Sequence, residues 1–145
     1  MYKLIISLAA FLYRVSAGRI GGTMYGGDVL LLTTTGRKTG KQRTLPLIYI
    51  MDGSTYVLTA SIGGAPKHPG WFFNLRSHPR AVIQVKDRRI NVVAEVASKE
   101  KKRELWAQLV AALPFYEKYQ RKTTRDIPMV ILHPANESPT EETNF

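Results

Sequence analysis

The sequence predicts a mainly β fold with an α+β character, an antiparallel barrel carrying flanking helices, on three observations. Six strand-like runs rich in aliphatic and β-branched residues follow one another at 29–35, 45–51, 56–60, 80–86, 90–97 and 127–133. Asp52-Gly53-Ser54 and Asp87-Arg88-Arg89 have the form of short hairpin turns between neighbouring runs. Six hairpin-linked strands would leave open edges, and closing the sheet on itself removes them. At 145 residues the chain suits one domain around one core.

Taken in order, the first 16 residues place Leu4, Ile5, Leu8, Phe11, Leu12 and Val15 at helical spacing. The apolar run is broken by Tyr13-Arg14 and is too short to span a membrane. Three readings are ranked: an ordinary core helix, then a helix lying in a membrane interface, then a secretory signal. The signal would use Lys3 as its charged start and Val15-Ser16-Ala17 as its cleavage site. Residues 18–27 are glycine-rich around Met24-Tyr25 and read as a linker. The expected division is an N-terminal amphipathic helix and linker (1–27), the barrel domain (28–134) and an acidic tail (135–145).

Within the barrel, Pro69 can open a helix through Ser77, with Pro79 as its stop. Ser98 can cap a helix over 99–113, whose Leu105, Trp106, Leu109, Val110 and Leu113 form an apolar stripe. Pro114-Phe115 then starts a short aromatic segment carrying Tyr116 and Tyr119. From Pro134 onward the chain is polar and acidic, and is expected to be disordered.

Composition narrows the chemistry. A formal charge of +10 and a pI near 10.0 favour an anionic partner: nucleic acid, an anionic membrane surface or a polyanionic small molecule. The absence of cysteine excludes disulfides and thiolate metal sites. His68, His78 and His133 lie in separate segments without helical pairing to a carboxylate, so no metal site is expected. No serine sits in a G-x-S-x-G elbow. A chain with little to offer as acid, base or nucleophile points to a bound cofactor that does the chemistry.

Two stretches could hold such a group. VLLLTTTGRKTGKQRTLP, residues 29–46, runs from a strand into a turn with Arg37, Lys38, Lys41 and Arg43 around Gly36 and Gly40. Glycine lets backbone N–H groups turn inward and Arg forks onto phosphate or carboxylate, so this is a candidate anion cradle. It lacks the spacing of a Walker loop, and a basic hairpin in a cation-rich chain is the competing explanation. In residues 59–75, TASIGGAPKHPGWFFNL, a strand ends at Ser61 and glycines precede a helix opening, where unpaired N–H groups could meet a ligand. Core packing explains Phe73 and Leu75 better than ligand contact does.

These stretches, with PFYEKYQRKTTRDIPMVIL (114–132), closely resemble the deazaflavin-dependent nitroreductase family, from about Val29 to Leu132. The resemblance implies a split β-barrel related to flavin-binding, pyridoxamine-phosphate-oxidase-like proteins. It implies an actinobacterial reductase using coenzyme F420, most like the branch containing quinone reductases. FMN is a less favoured cofactor. By the resemblance, Arg37, Lys38 and Thr39, then Arg43, Thr44, Leu45, Pro46, Leu47 and Ile48, hold the cofactor's phosphate and deazaflavin edge. Thr59, Ala60, Ser61 and Ile62, and Gly70, Trp71, Phe72, Phe73 and Asn74, flank its ring and side chain. Tyr116 lines the pocket and Tyr119 closes over the acceptor. Two departures stand out: Ile62 where relatives often carry Lys, and Ile48 where nitro-drug-reducing relatives carry Tyr.

The expected reaction is hydride transfer to a flat, electron-poor acceptor, a quinone rather than a bulky nitroimidazole, with Ser61 and Tyr119 as candidate catalytic groups at the developing oxyanion. A cytoplasmic setting is expected, with the N-terminal helix on the inner membrane face left open. Two rival classes remain at this stage: a non-catalytic flavin or lipid carrier, and a basic nucleic-acid-binding barrel. Nucleic acid is disfavoured because the cations gather around glycine turns and do not interleave with aromatics along strands.

Overall fold

The computed structural model describes residues 2–135, and side chains from residue 6 onward. Among the described residues there are seven strands: β1 (Thr23–Met24), β2 (Gly27–Thr35), β3 (Gln42–Asp52), β4 (Thr55–Thr59), β5 (Arg80–Val85), β6 (Arg88–Val96) and β7 (Met129–Pro134). The helices are α1 (Tyr2–Ser16), α2 (Gly70–Ser77), α3 (Lys99–Ala112) and α4 (Tyr116–Arg121). The sheet is antiparallel in the order β1-β2-β3-β4-β7-β6-β5. Pairing of Leu31, Leu32 and Thr33 with Gln84, Ile83 and Val82 closes β2 onto β5. The six expected strands form the barrel, and β1 is a short addition inside the expected linker.

The strands read as continuous apolar runs because both of their faces are covered. In β2, Leu30 and Leu32 point into the barrel while Val29 and Leu31 meet Ala10 and Tyr13 of α1. Tyr56 and Leu58 of β4, and Val130 and Leu132 of β7, likewise point inward. Their neighbours Val57, Met129 and Ile131 face Leu105, Leu109, Leu113 and Tyr116 from α3 and α4. One strand thus serves two cores through its period of two. Ser98 caps α3 as expected, its hydroxyl accepting from the Lys101 N–H at 3.1 Å.

Some local expectations shift. The β5–β6 turn falls at Lys86-Asp87, one residue early, so Arg88 and Arg89 already belong to β6. Lys86 adopts φ 58° there, and its N–H donates to the Tyr13 hydroxyl at 2.7 Å. Pro134 ends β7 and does not begin the tail, since β6 still pairs with it through Val92. The tail beyond Ala135 lies outside the described residues.

The larger correction concerns α1. Leu8, Phe11 and Val15 of the expected stripe are 56%, 56% and 62% exposed. The helix docks on the barrel through Ala10 and Tyr13, so one face packs on a core while the other carries exposed apolar residues. Burying Tyr13 and using its hydroxyl on the β5–β6 turn fixes the helix rotation, which leaves Leu8, Phe11 and Val15 outward and Leu12 half-buried. No helix among the described residues is long and apolar enough to cross a membrane.

Candidate functional site

The barrel has a seam. Residues 42–49 of β3 pair with β2, whereas β4 pairs with β3 only from Tyr49 to Asp52. The first half of β3 is therefore laddered on one side, with its other side left for a ligand or solvent. Pro46 is tolerated mid-strand because it sits in this edge portion. Two loops flank the seam: β2–β3, residues 36–41, and β4–α2, residues 60–69.

The β2–β3 loop is tightly turned and cation-rich. Gly36 N–H donates to Lys41 O at 2.8 Å, and Gly40 N–H to Gly36 O at 2.8 Å. A Cβ at Gly36 would crowd Thr39 Oγ1 at 2.9 Å and Lys41 O at 3.2 Å, and Gly40 at φ 75° is the position where the turn favours glycine. Arg37, Lys38, Thr39, Lys41 and Arg43 are exposed. Among the described residues, the ion pairs lie elsewhere, on Lys101, Lys102, Arg121 and His133. Among the described residues no ion pair compensates the loop's positive field.

Asn74 of α2 anchors that loop. Its Oδ1 accepts from Arg37 N–H at 3.0 Å, and its Nδ2 donates to Thr34 Oγ1 at 3.0 Å. Asn74 is buried, and one acceptor site and one donor of its amide are used inside the protein to place Arg37. The Arg37 guanidinium lies 4.8 Å over the Phe73 ring, with Arg76 at 5.4 Å from the same ring. Phe73 holds the cations and does not simply fill the core.

Several expected contacts pass from side chain to backbone. Leu45 and Leu47 pack against the barrel core, and Ala60, Trp71 and Phe72 are buried in it. Ile48 fills the join between the α1 cluster and the α3–α4 cluster, where its Cγ2 would lie 2.8 Å from a Cβ on Gly27. Ala60, Trp71 and Phe72 are left mainly main-chain groups to offer a ligand, while Leu45, Leu47 and Ile48 stay half-buried. Thr44 is half-buried, its hydroxyl 2.7 Å from that of Thr33. Thr59 is paired with Met129 in the ladder, and Gly70 is exposed at the start of α2.

The β4–α2 loop is strained and compact. Ile62 adopts φ 42°, followed by Gly63 at 59° and Gly64 at 86°. For a β-branched residue that is a costly conformation. Ser61 is buried, whereas Ile62 is 48% exposed, so the loop presents Ile62 at its surface. A Cβ on Gly64 would approach Tyr119 O to 2.6 Å, which seats the loop directly on α4.

Aromatic rings gather on α4 and beside it. Phe115 stacks on Tyr116 at 4.7 Å, and Tyr119 meets both rings edge-on at 5.5 and 5.4 Å. Tyr25, 76% exposed in the β1–β2 turn, meets Phe115 at 6.0 Å. Burial pushes the Tyr116 phenol up to about 12, so it is neutral at physiological pH. Tyr116 is packed within the α3–α4 core, and Tyr119 and Tyr25 are the more accessible rings.

Three residues escaped the sequence reading. Tyr25 was absorbed into a linker. His68 and Arg125 bond to each other at 2.8 Å beside the strained loop. Both lie inside the recognisable motifs, which was their only signal. No group of three or more His, Cys, Asp or Glu that could hold a metal occurs among the described residues.

Comparison with known proteins shows the family and the fold. The family model for F420H(2)-dependent quinone reductases matches residues 7–134. An F420H(2)-dependent quinone reductase of Mycobacterium tuberculosis (strain H37Rv) is 39% identical over 133 residues, covering 88% of this chain and 89% of the relative. The solved F420-H2 dependent reductase FDR-A superposes with a TM-score of 0.67 at 39% identity, over 72% of this chain and 93% of that one. A Listeria innocua protein described as a pyridoxamine 5'-phosphate oxidase shares the fold at a TM-score of 0.51 and 15% identity, over 73% and 82% of the two chains.

Proposed function

The chain belongs to the F420H(2)-dependent quinone reductase family, and from that premise we propose that it reduces a quinone with reduced coenzyme F420 bound along the β3 seam. The observation that carries the assignment to this site is a cation turn without an ion pair among the described residues, beside an open strand edge. Its components suit an anionic cofactor: a glycine-dependent turn, Arg37 held by Asn74 and Phe73, and Lys38 and Arg43 free of carboxylates among the described residues.

When bound, reduced F420 supplies the hydride. The residues of this chain bind, orient and exclude water. Arg37, Lys38, Thr39 and Arg43 would hold the phosphate and acidic tail through charge-assisted hydrogen bonds. Residues Thr44 to Ile48 and Ser61 to Ile62 would flank the ring, through main-chain groups and the half-buried or exposed side chains there, Ile62 the most exposed of them. Tyr119, backed by Phe115 and Tyr116, supplies a flat wall for an aromatic acceptor. Ser61 and Tyr119 are the groups proposed to donate to the acceptor oxygen as charge develops there.

The outward apolar face of α1 supports a second element of the proposal, peripheral contact with the membrane that carries the quinone. Leu8, Phe11 and Val15 are exposed beside the cationic Arg14 and Arg19. Such a face suits the interface of an anionic bilayer. Co-sedimentation with anionic vesicles should be lost in Phe11→Glu, and unchanged partition of that variant would remove this element.

Titration with oxidised and reduced F420, alongside FMN, tests the cofactor assignment, and reoxidation by menadione in a single turnover tests the reaction. F420 binding with menadione-dependent reoxidation is the expected result. Binding without reoxidation by any quinone would make the chain a carrier. Salt-sensitive retention of oligonucleotides without F420 binding would instead favour a nucleic-acid partner.

A further inference from the structure

We infer that Arg125 is a positioning residue for the F420 site, its guanidinium holding residues 61–68 against α4 as one wall while His68 is neutral. The inference rests on the cofactor reading above. The geometry is a three-point clasp. Arg125 Nε donates to Ala65 O at 2.8 Å, Nη2 donates to Ser61 O at 2.9 Å, and Nη1 meets His68 Nδ1 at 2.8 Å. One planar fork therefore ties the beginning, middle and end of the loop.

The hydrogen-bond roles are forced. A guanidinium has donors only, so His68 Nδ1 must accept and the ring proton must sit on Nε2. Ser61 O also accepts from Gly64 N–H at 2.9 Å, which links the clasp to the left-handed residues Ile62 to Gly64. An isoleucine held at φ 42° persists only where its surroundings over-determine it. The clasp provides one restraint, and the close seat of Gly64 on Tyr119 provides another.

Arg125 is in turn fastened to α4. Gln120 Nε2 donates to Arg125 O at 2.8 Å, and Gln120 Oε1 accepts from Ile127 N–H at 3.2 Å. Arg125 N–H donates to Thr123 Oγ1 at 3.2 Å. Loop and helix consequently move together, and the distance between Ile62 and Tyr119 is held from behind. That spacing is what a ring and its acceptor would share.

The charged groups facing His68 are Arg125, from the segment after α4, and Arg76 of α2, with the exposed Lys67 beside it in the loop. The Phe72 and Phe73 rings cover it at 4.9 and 5.8 Å. Burial first, and the two arginines next, hold the imidazole below its ordinary pKa of 6.5. Among the described residues no carboxylate acts on it. Protonation in acid sets an N–H against Nη1 and a cation against a cation, so the His68 arm of the clasp opens.

Hydrogen exchange on the ligand-free protein tests the clasp, and F420 titration across pH tests its consequence. In Arg125→Lys, which keeps the charge but cannot span three acceptors, the Gly64 and Ala65 amides should exchange about tenfold faster, with the β2 and β5 amides unchanged. F420 should bind about tenfold more weakly and kcat at saturation should fall as well, because the wall that sets the distance to the acceptor is looser. Wild-type affinity should fall as pH drops below 6.5, more steeply than in His68→Gln, whose amide remains a neutral acceptor. Exchange and affinity of Arg125→Lys matching wild type would overturn the clasp. Equal pH profiles for wild type and His68→Gln would overturn the need for a neutral His68. If exchange responds but the wild type binds no F420, the clasp stands and the cofactor reading is what fails.

Discussion

The two loops beside the seam solve opposite problems. The β2–β3 loop is exposed, positively charged and held from outside chiefly by one amide, that of Asn74. The β4–α2 loop is strained, seated on α4 and tied at three points by one guanidinium. The first can attract an anion and adapt to it. The second can hold a planar group at a set distance, having met its ordering cost during folding. Affinity and geometry are thus assigned to different segments.

The sharpest way to break this contrast is at Gly64. Gly64→Ala places a Cβ 2.6 Å from Tyr119 O at a φ of +86°. A loss of about 3 kcal/mol in urea unfolding is expected, from strain and backbone displacement combined. A loss below about 1 kcal/mol would show that the loop is softer than described.

The adaptable loop should behave differently. Lys38→Ala combined with Arg43→Ala should weaken F420 on the order of 100-fold, at charge-assisted bond energies. Unfolding free energy should move by less than about 0.5 kcal/mol. Reduced salt dependence of the remaining affinity checks that charge was what was removed. If stability falls instead, the two loops are not distinct in kind.

Much of the fold could be read from the chain because apolar runs such as Leu30-Leu31-Leu32 are covered on both faces and so stand out without alternation. β1, two residues long, carries no such signal. The rotation of α1 was also illegible. Helical spacing marks Leu8, Phe11 and Val15 as one stripe, but the Tyr13 hydroxyl decides which way the stripe faces. The candidate site divides similarly. The cations around Gly36 and Gly40 are a local pattern, whereas the acceptors of Arg125 are two backbone carbonyls and a histidine 57 to 64 residues away. Carbonyls have no sequence signature.

Asn74 joins the two regimes, since a residue of α2 sets the adaptable loop. Asn74→Ala should cost about tenfold in F420 affinity and about 1–2 kcal/mol in stability, through the unpaired Thr34 and Arg37 groups. An affinity loss without a stability loss would return Asn74 to direct ligand contact.

The smallest effect belongs to Tyr116. Tyr116→Phe should leave kcat and F420 affinity within about twofold between pH 6 and 9, because the phenol is neutral throughout. Its folded pKa of about 12 lies above the usual 10.0, so its stabilising share is complete below pH 10 and is lost as pH rises toward 12. The variant's alkaline unfolding curve should be shallower over that window.

The seam in β3 also bears on how the apoprotein behaves in a crowded solution. A strand laddered on one side presents the pattern that lets chains template one another into larger sheets. Here Lys41 and Arg43 flank that edge, and Pro46 removes a donor from it. The charges suited to recruiting an anion therefore also repel a second copy of the same edge. Stripping them in search of a tighter site would create a stickier protein, and cofactor supply would then govern its solubility as much as its turnover.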